Sequence, residues 1–168
     1  MSLARALYRS RQFFRSVGAS ISAEDRAEVA QRLNTEQQRL FYATTARDQR
    51  HSLDVFHALQ RDGHDDPELL LAALLHDVGK GPVRLGHRVA YVLIRAVSPR
   101  LLRRLTSDSG SGWRRSLASF SEHSRRGAAL VEATGAPETV VSLVRLHSGD
   151  EIASDPRVAI LRAADESC

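Results

Sequence analysis

The chain has 168 residues, 42% apolar and 26% charged, enough to bury one ordinary core, which excludes a disordered chain and a small scaffold that needs staples to fold. Aromatic residues make up only 5%, too few for a stacking platform on single-stranded nucleic acid, and the one cysteine, Cys168, excludes an intrachain disulfide or a zinc site built of thiolates. The net charge of +4 hides a segregation: every basic residue except Lys80 is arginine, and the stretch from Arg84 to Arg126 holds ten arginines against two acids, Asp108 and Glu122.

In chain order, residues 2–16 read as a helix that pairs arginines with Leu3, Leu7, Phe13 and Phe14. A helix packed on the domain is favoured there over one lying on a membrane surface. The segment lacks the apolar core of a secretory leader. The uncharged apolar run Val89 to Ile94, like Leu69 to Leu75, is far short of the roughly 20 residues a bilayer requires, so the cytoplasm is the expected compartment. Helices follow at 22–33 and at 36–45, the second opened by a capping box of Thr35 and Gln38. Further helices are expected at 47–62 and 67–77, the latter announced by Asp66-Pro67-Glu68, a cap followed by a first-turn proline and an acid. The arginine-rich block reads as helices at 83–97, 99–106 and 113–119, broken by the Ser/Gly-rich loop 107–112. Helices at 122–134, 137–147 and 156–166 complete the chain. Gly135 and Gly149 stand at the expected stops, and Asp155-Pro156 opens the last helix. No run alternates with period two, so the fold class is all-α.

The most informative stretch is 69–81, LLLAALLHDVGKG. Leu69 to Leu75 form a helix buried on most sides, and it delivers His76 and Asp77 to the interior. Buried polar groups need partners, and buried charges need pairing or a metal. Adjacent residues on a regular helix point about 100° apart. A doublet that serves one ion therefore belongs at a helix end, which Gly79 and Gly81 mark, with Lys80 between them.

His51, the doublet His76-Asp77 and the late Asp165 together resemble the H…HD…D signature of the HD-domain superfamily of metal-dependent phosphohydrolases. HDVGK is similar to the HDIGK form of the doublet, and RHSLDV and LRAADE match the helices of the first histidine and last aspartate. The resemblance spans about residues 47–166. It implies an HD-domain helical bundle in which His51, His76, Asp77 and Asp165 hold a divalent cation. It divides the chain into a helical extension at 1–46, packed on the domain, and an HD domain at 47–168 with an arginine-rich helical insertion at about 82–120. His123 and His147 lie in the order in which two-metal relatives, including HD-GYP-like cyclic-dinucleotide phosphodiesterases, place extra histidines. The resemblance thus implies one ion or two, with Asp77 bridging in the second case. This chain departs from those relatives at Ser148 and Gly149, where they often carry another ligand, and it lacks the GYP motif. Imidazole and carboxylate donors without thiolates suit iron, manganese, zinc or nickel.

The activity so implied is hydrolysis of a phosphomonoester or phosphodiester, of a nucleotide or cyclic nucleotide, by a metal-activated hydroxide. Asp77 and Lys80 are the candidate catalytic residues, and Lys80, Arg84 and Arg88 the candidate phosphate-binding ones. Three plainer readings stand beside this: a hydrogen-bonded core network for the four ligands, a capping or surface role for His123 and His147, and a solvated face for the arginines. His57 falls off the ligand face, His64 sits in a polar loop and His87 lies on the arginine-rich helix; none is expected to be a ligand. The partner is then a phosphorylated small molecule, with no specific nucleic acid. Two rival functions remain: a regulatory module that binds a nucleotide without turnover, and an arginine-rich helical adaptor for nucleic acid or membrane.

Overall fold

A computed structural model of the protein describes residues 21–80, 122–148 and 153–168. Among these residues seven α-helices and one 3-10 turn form the fold, with no strand. Four expected helices (2–16, 83–97, 99–106 and 113–119), the loop 107–112, and Arg84, His87, Arg88 and Gly149 lie outside the described residues.

Helix α1, Ala23–Arg32, starts at Ser22 with a capping box: Ser22 Oγ accepts from the Asp25 N–H, and Asp25 Oδ2 accepts from the Ser22 N–H. Helix α2, Thr35–Tyr42, starts one residue earlier than the sequence suggests. Asn34, not Thr35, is the cap, and its box partner is Gln37. Both residue types cap well, and here the Asn34 side-chain oxygen accepts from the Gln37 N–H at 2.9 Å. Gln38 is thereby freed, and its Nε2 donates to Leu33 O.

Helix α3, Ala46–Arg61, carries His51. It buries Leu53, Val55, Phe56 and Leu59 and is followed by Gly63, whose positive φ of 84° turns the chain. Helix α4, Pro67–Leu75, is apolar around nearly its whole circumference, with Leu69, Leu70, Ala72, Ala73, Leu74 and Leu75 buried. A helix with no polar face is stable only when covered on all sides, and here α2 and α3 both pack on it. Each buried leucine contributes about 1.5–3 kcal/mol relative to an exposed one, so α4 is the axis of the core. The expected helix to residue 77 ends at Leu75, and the chain tightens into the 3-10 turn Val78–Lys80.

Helix α5, His123–Glu132, and helix α6, Glu138–Leu146, form a hairpin closed by Gly135 at φ 73°. The hairpin packs through α6 on α4, and through α5 on the 3-10 turn. Helix α7, Pro156–Ser167, packs on α3 and α4 and brings Asp165 to the same end of the bundle as His51. Residues of all seven helices share one apolar core, from Val29 and Phe41 to Val144, Val158 and Leu161.

Candidate metal centre

Five elements converge on one end of the core. Helix α3 supplies His51, the end of α4 supplies His76 and Asp77, α5 opens with His123, α6 ends in His147, and the last turn of α7 supplies Asp165. The six side chains that the sequence singles out as ligands are thus brought together. His57 and His64 are not among them. His57 Nε2 donates instead to the buried carboxylate of Asp25 at 3.1 Å, an oxygen pair that Arg50 also holds.

His76 and His147 are presented in the same way. Each follows the last residue of an apolar helix with nearly identical dihedrals, φ −58° with ψ −31° and φ −58° with ψ −32°. In each, Nδ1 lies within hydrogen-bond distance of the carbonyl three residues back, Ala73 O at 2.8 Å and Val144 O at 2.7 Å. A carbonyl can only accept, so both Nδ1 atoms carry hydrogen and both rings turn Nε2 toward the centre. This is how protein backbones orient imidazole ligands. Sequence reasoning missed Arg162, whose guanidinium donates to Leu146 O at 2.6 and 3.0 Å and so fixes the end of α6 beside His147.

Asp77 is the hub. Its Oδ1 lies 3.4 Å from His76 Nε2 and 3.8 Å from both His123 Nε2 and His147 Nε2. Its Oδ2 accepts from Lys80 Nζ and lies 3.8 Å from His51 Nε2. Asp165 Oδ1 sits 2.8 Å from His51 Nε2 and 3.6 Å from His76 Nε2. Two groups of potential ligands result, both containing Asp77: one with His51 and His76, the other with His123 and His147. The floor of the centre is closed, since His76, Asp77 and His147 have side chains no more than 1% exposed. Among the described residues the rim is formed by His51, Lys80 and Asp165, whose side chains are 22–30% exposed.

Electrostatics follow from this burial. Burial by itself would raise Asp77, but His76, Lys80 and His51 hold it well below the carboxylate range. Asp165 is lowered against the same opposing effect by its contacts with His51 and His76. Burial pulls His76 down, yet the carboxylates of Asp77 and Asp165 outweigh it and raise its pKa to about 9. Burial and the nearby His76 charge lower His147 to about 3, so it is a neutral acceptor at Nε2. His123 Nε2 lies 3.1 Å from this lone pair, a spacing that requires a proton or a cation between the two nitrogens.

Two atoms identify what the centre lacks for balance. His76 Nε2 and Asp77 Oδ1 are buried and have no hydrogen-bond partner among the described residues. Orphaned polar atoms at full burial are costly, and these two face each other across 3.4 Å. A proton on His76 Nε2, or a cation held by both atoms in its place, satisfies them, and the nitrogen and oxygen donors match a divalent first-row metal. The residues therefore fit the cofactor class that the sequence implies.

The glycines of HDVGK have a use beyond ending the helix. A Cβ on Gly79 would stand 1.9 Å from His123 O and 2.5 Å from Gly127 N. Gly79 thus lets the doublet turn meet the backbone of α5 directly, with Gly127 as its counterpart. The sequence shows Gly127 only as a glycine within a helix, and the contact has no local signature.

The model of the HD domain family matches residues 49–167. No curated protein and no solved structure shows a significant match.

Proposed function

The chain belongs to the HD-domain family, and from that premise we propose that it is a metal-dependent phosphohydrolase acting on a phosphomonoester or phosphodiester, of a nucleotide or cyclic nucleotide. The observation that carries this reading is the facing pair of orphaned atoms, His76 Nε2 and Asp77 Oδ1, at the meeting point of five elements.

In this reading His51, His76, Asp77 and Asp165 hold one divalent ion, and Asp77, His123 and His147 hold a second. Iron, manganese, zinc and nickel all suit these donors. Bound metal supplies a Lewis acid for a phosphoryl oxygen and lowers the pKa of water. The protein's own residues do the rest. Asp77, whose cationic neighbours favour its ionised form, would be shared by the two halves. The backbone carbonyls of Ala73 and Val144 keep the imidazoles aimed inward. The phosphate is read as entering on the side of His51, Lys80 and Asp165, where Lys80 would neutralise a non-bridging oxygen. Arg84 and Arg88 are proposed to add phosphate contacts, and the division into an extension at 1–46 and an HD domain at 47–168 with its insertion is part of the same reading. Among the described residues no helix is long and apolar enough to cross a membrane.

Hydrolysis of a panel of aryl phosphates and nucleotides, with manganese or iron added, tests the proposal against Asp77→Ala. Turnover by the wild type and its loss in the variant is the expected result. Equal rates in the two proteins defeat the assignment, and metal bound without turnover points to a regulatory module instead.

A further inference from the structure

His76 and His147 leave their helices with the same dihedrals and the same Nδ1 anchor, yet the backbone that carries them is held in two different ways. After His76 the 3-10 turn closes, with the Lys80 N–H on Asp77 O at 3.0 Å, and Gly79 rests on the backbone of α5. Among the described residues no such turn follows His147. The end of α6 is held instead from α7, by Arg162, whose Nε and Nη2 both donate to Leu146 O at 3.0 and 2.6 Å. That oxygen belongs to the planar peptide that joins Leu146 to His147, so fixing it fixes the backbone from which the imidazole projects. It is also one of the terminal carbonyls that a helix leaves without an internal partner, and a cation there meets the negative end of α6. Arg162 stands three residues before Asp165, on the same face of α7. One helix thus serves both halves of the centre, through a candidate ligand in one and through a clamped carbonyl in the other.

We propose that Arg162 is a positioning residue for His147: it aims the Nε2 of that ring at the centre and so sets how tightly the His123–His147 half holds its ion. The inference deepens the metal-centre reading above and rests on it. Two opposed effects decide what its loss does. A guanidinium near the centre repels a dication, so removal of the charge alone would tighten binding in both halves. Removal of the clamp frees the peptide that presents His147, and groups that orient a ligand imidazole are typically worth about tenfold to a hundredfold in metal affinity. Arg162 is partly exposed, so water screens its charge while the clamp is undiminished. The clamp therefore outweighs the repulsion, and the loss falls on one half only.

Two measurements on the full-length chain test this in Arg162→Met, Arg162→Gln and Arg162→Lys, each first checked for wild-type helicity by circular dichroism. The first needs no metal. In chelator-stripped protein the Nδ1 protons of His76 and His147, bonded to Ala73 O and Val144 O, are followed by nitrogen-edited magnetic resonance. The neutral variants are expected to broaden or lose the His147 signal and to leave that of His76 as in wild type, whereas a general loosening of the fold moves both. The second is titration with manganese and with zinc, His147→Ala and His51→Ala marking the two halves. The neutral variants are expected to weaken by about tenfold or more the class of site that His147→Ala lacks, and to leave the other class unchanged. Arg162→Lys, which keeps the charge but not the two-armed fork, is expected to fall between them and wild type. Imidazole signals that both persist or both vanish, or ion binding that is unchanged or tighter in the neutral variants, overturn the inference and leave the metal centre standing, as does a single class of site in wild type. A wild-type chain that takes up neither metal overturns both readings.

Discussion

His76 and His147 show how one residue type is tuned to two states by its neighbours. Both are buried and both are anchored through Nδ1, but His76 lies between two carboxylates while His147 meets other imidazoles. His147→Ala should therefore lower metal content by one ion per chain with helicity unchanged, read by elemental analysis and circular dichroism; an unchanged ion count contradicts a second site. A different residue controls behaviour in acid. Burial acts to raise Asp25, but hydrogen bonds from His57 and Ser22 and the Arg50 charge lower it from 3.8 to about 2. Its contribution to stability is complete above the unfolded value of 3.8 and is lost as pH falls toward 2, on the order of 2 kcal/mol. Asp25→Asn should flatten that acid limb in denaturant unfolding followed between pH 5 and 2. The doublet His76-Asp77 was legible from its place at the end of an apolar helix, and the other four ligand candidates from the resemblance to a family. Asp25, His57 and Arg162 were not, because their partners lie 16 to 32 residues away along the chain, with no local pattern to join them.

At the scale of elements, boundaries were read to within one or two residues wherever a cap is spelled out in sequence, as at Asp66-Pro67 and Asp155-Pro156. The error at Thr35 arose where two good caps stand side by side. The turn after Leu75 comes two residues earlier than expected, and its tight packing could not be read, since a glycine that ends a helix and one that touches another backbone look alike in one sequence. Gly79→Ala should cost at least about 3 kcal/mol, because no flexible side chain can yield to the new methyl. Gly127→Ala should change stability by less than about 1 kcal/mol, since its nearest contact is 3.2 Å and alanine favours the helix. Urea unfolding of the two variants decides this, and equal effects would contradict the packing. Arg157 joins the caps of α4 and α7 by ion pairs to Asp66, Glu68 and Asp155. These pairs are partly exposed, so Arg157→Ala should cost under about 1 kcal/mol, well below Gly79→Ala.

Over the whole molecule, the centre is where helices from both ends of the described chain meet, so an ion there ties α3, α4, α5, α6 and α7 together. Ligand that binds only the folded state at one hundred times its Kd adds about 2.7 kcal/mol, which for a chain of this size raises Tm by roughly 5–10 °C. Manganese should produce that rise in thermal melts of chelator-stripped protein, and Asp77→Ala should abolish it; an equal rise in both proteins would place the ion elsewhere. The all-α class was legible from periodicity and caps. The convergence of five elements was not, because it depends on how α4 is wrapped, and only the resemblance to a family anticipated it.

The contact between Gly79 and Gly127 has a further consequence. Main chain rests on main chain there, so the backbone spacing between the doublet turn and the first turn of α5 is a fixed gauge. If the proposed ions bind, differences in ionic radius would have to be taken up by side chains alone, with the frame around them unmoved.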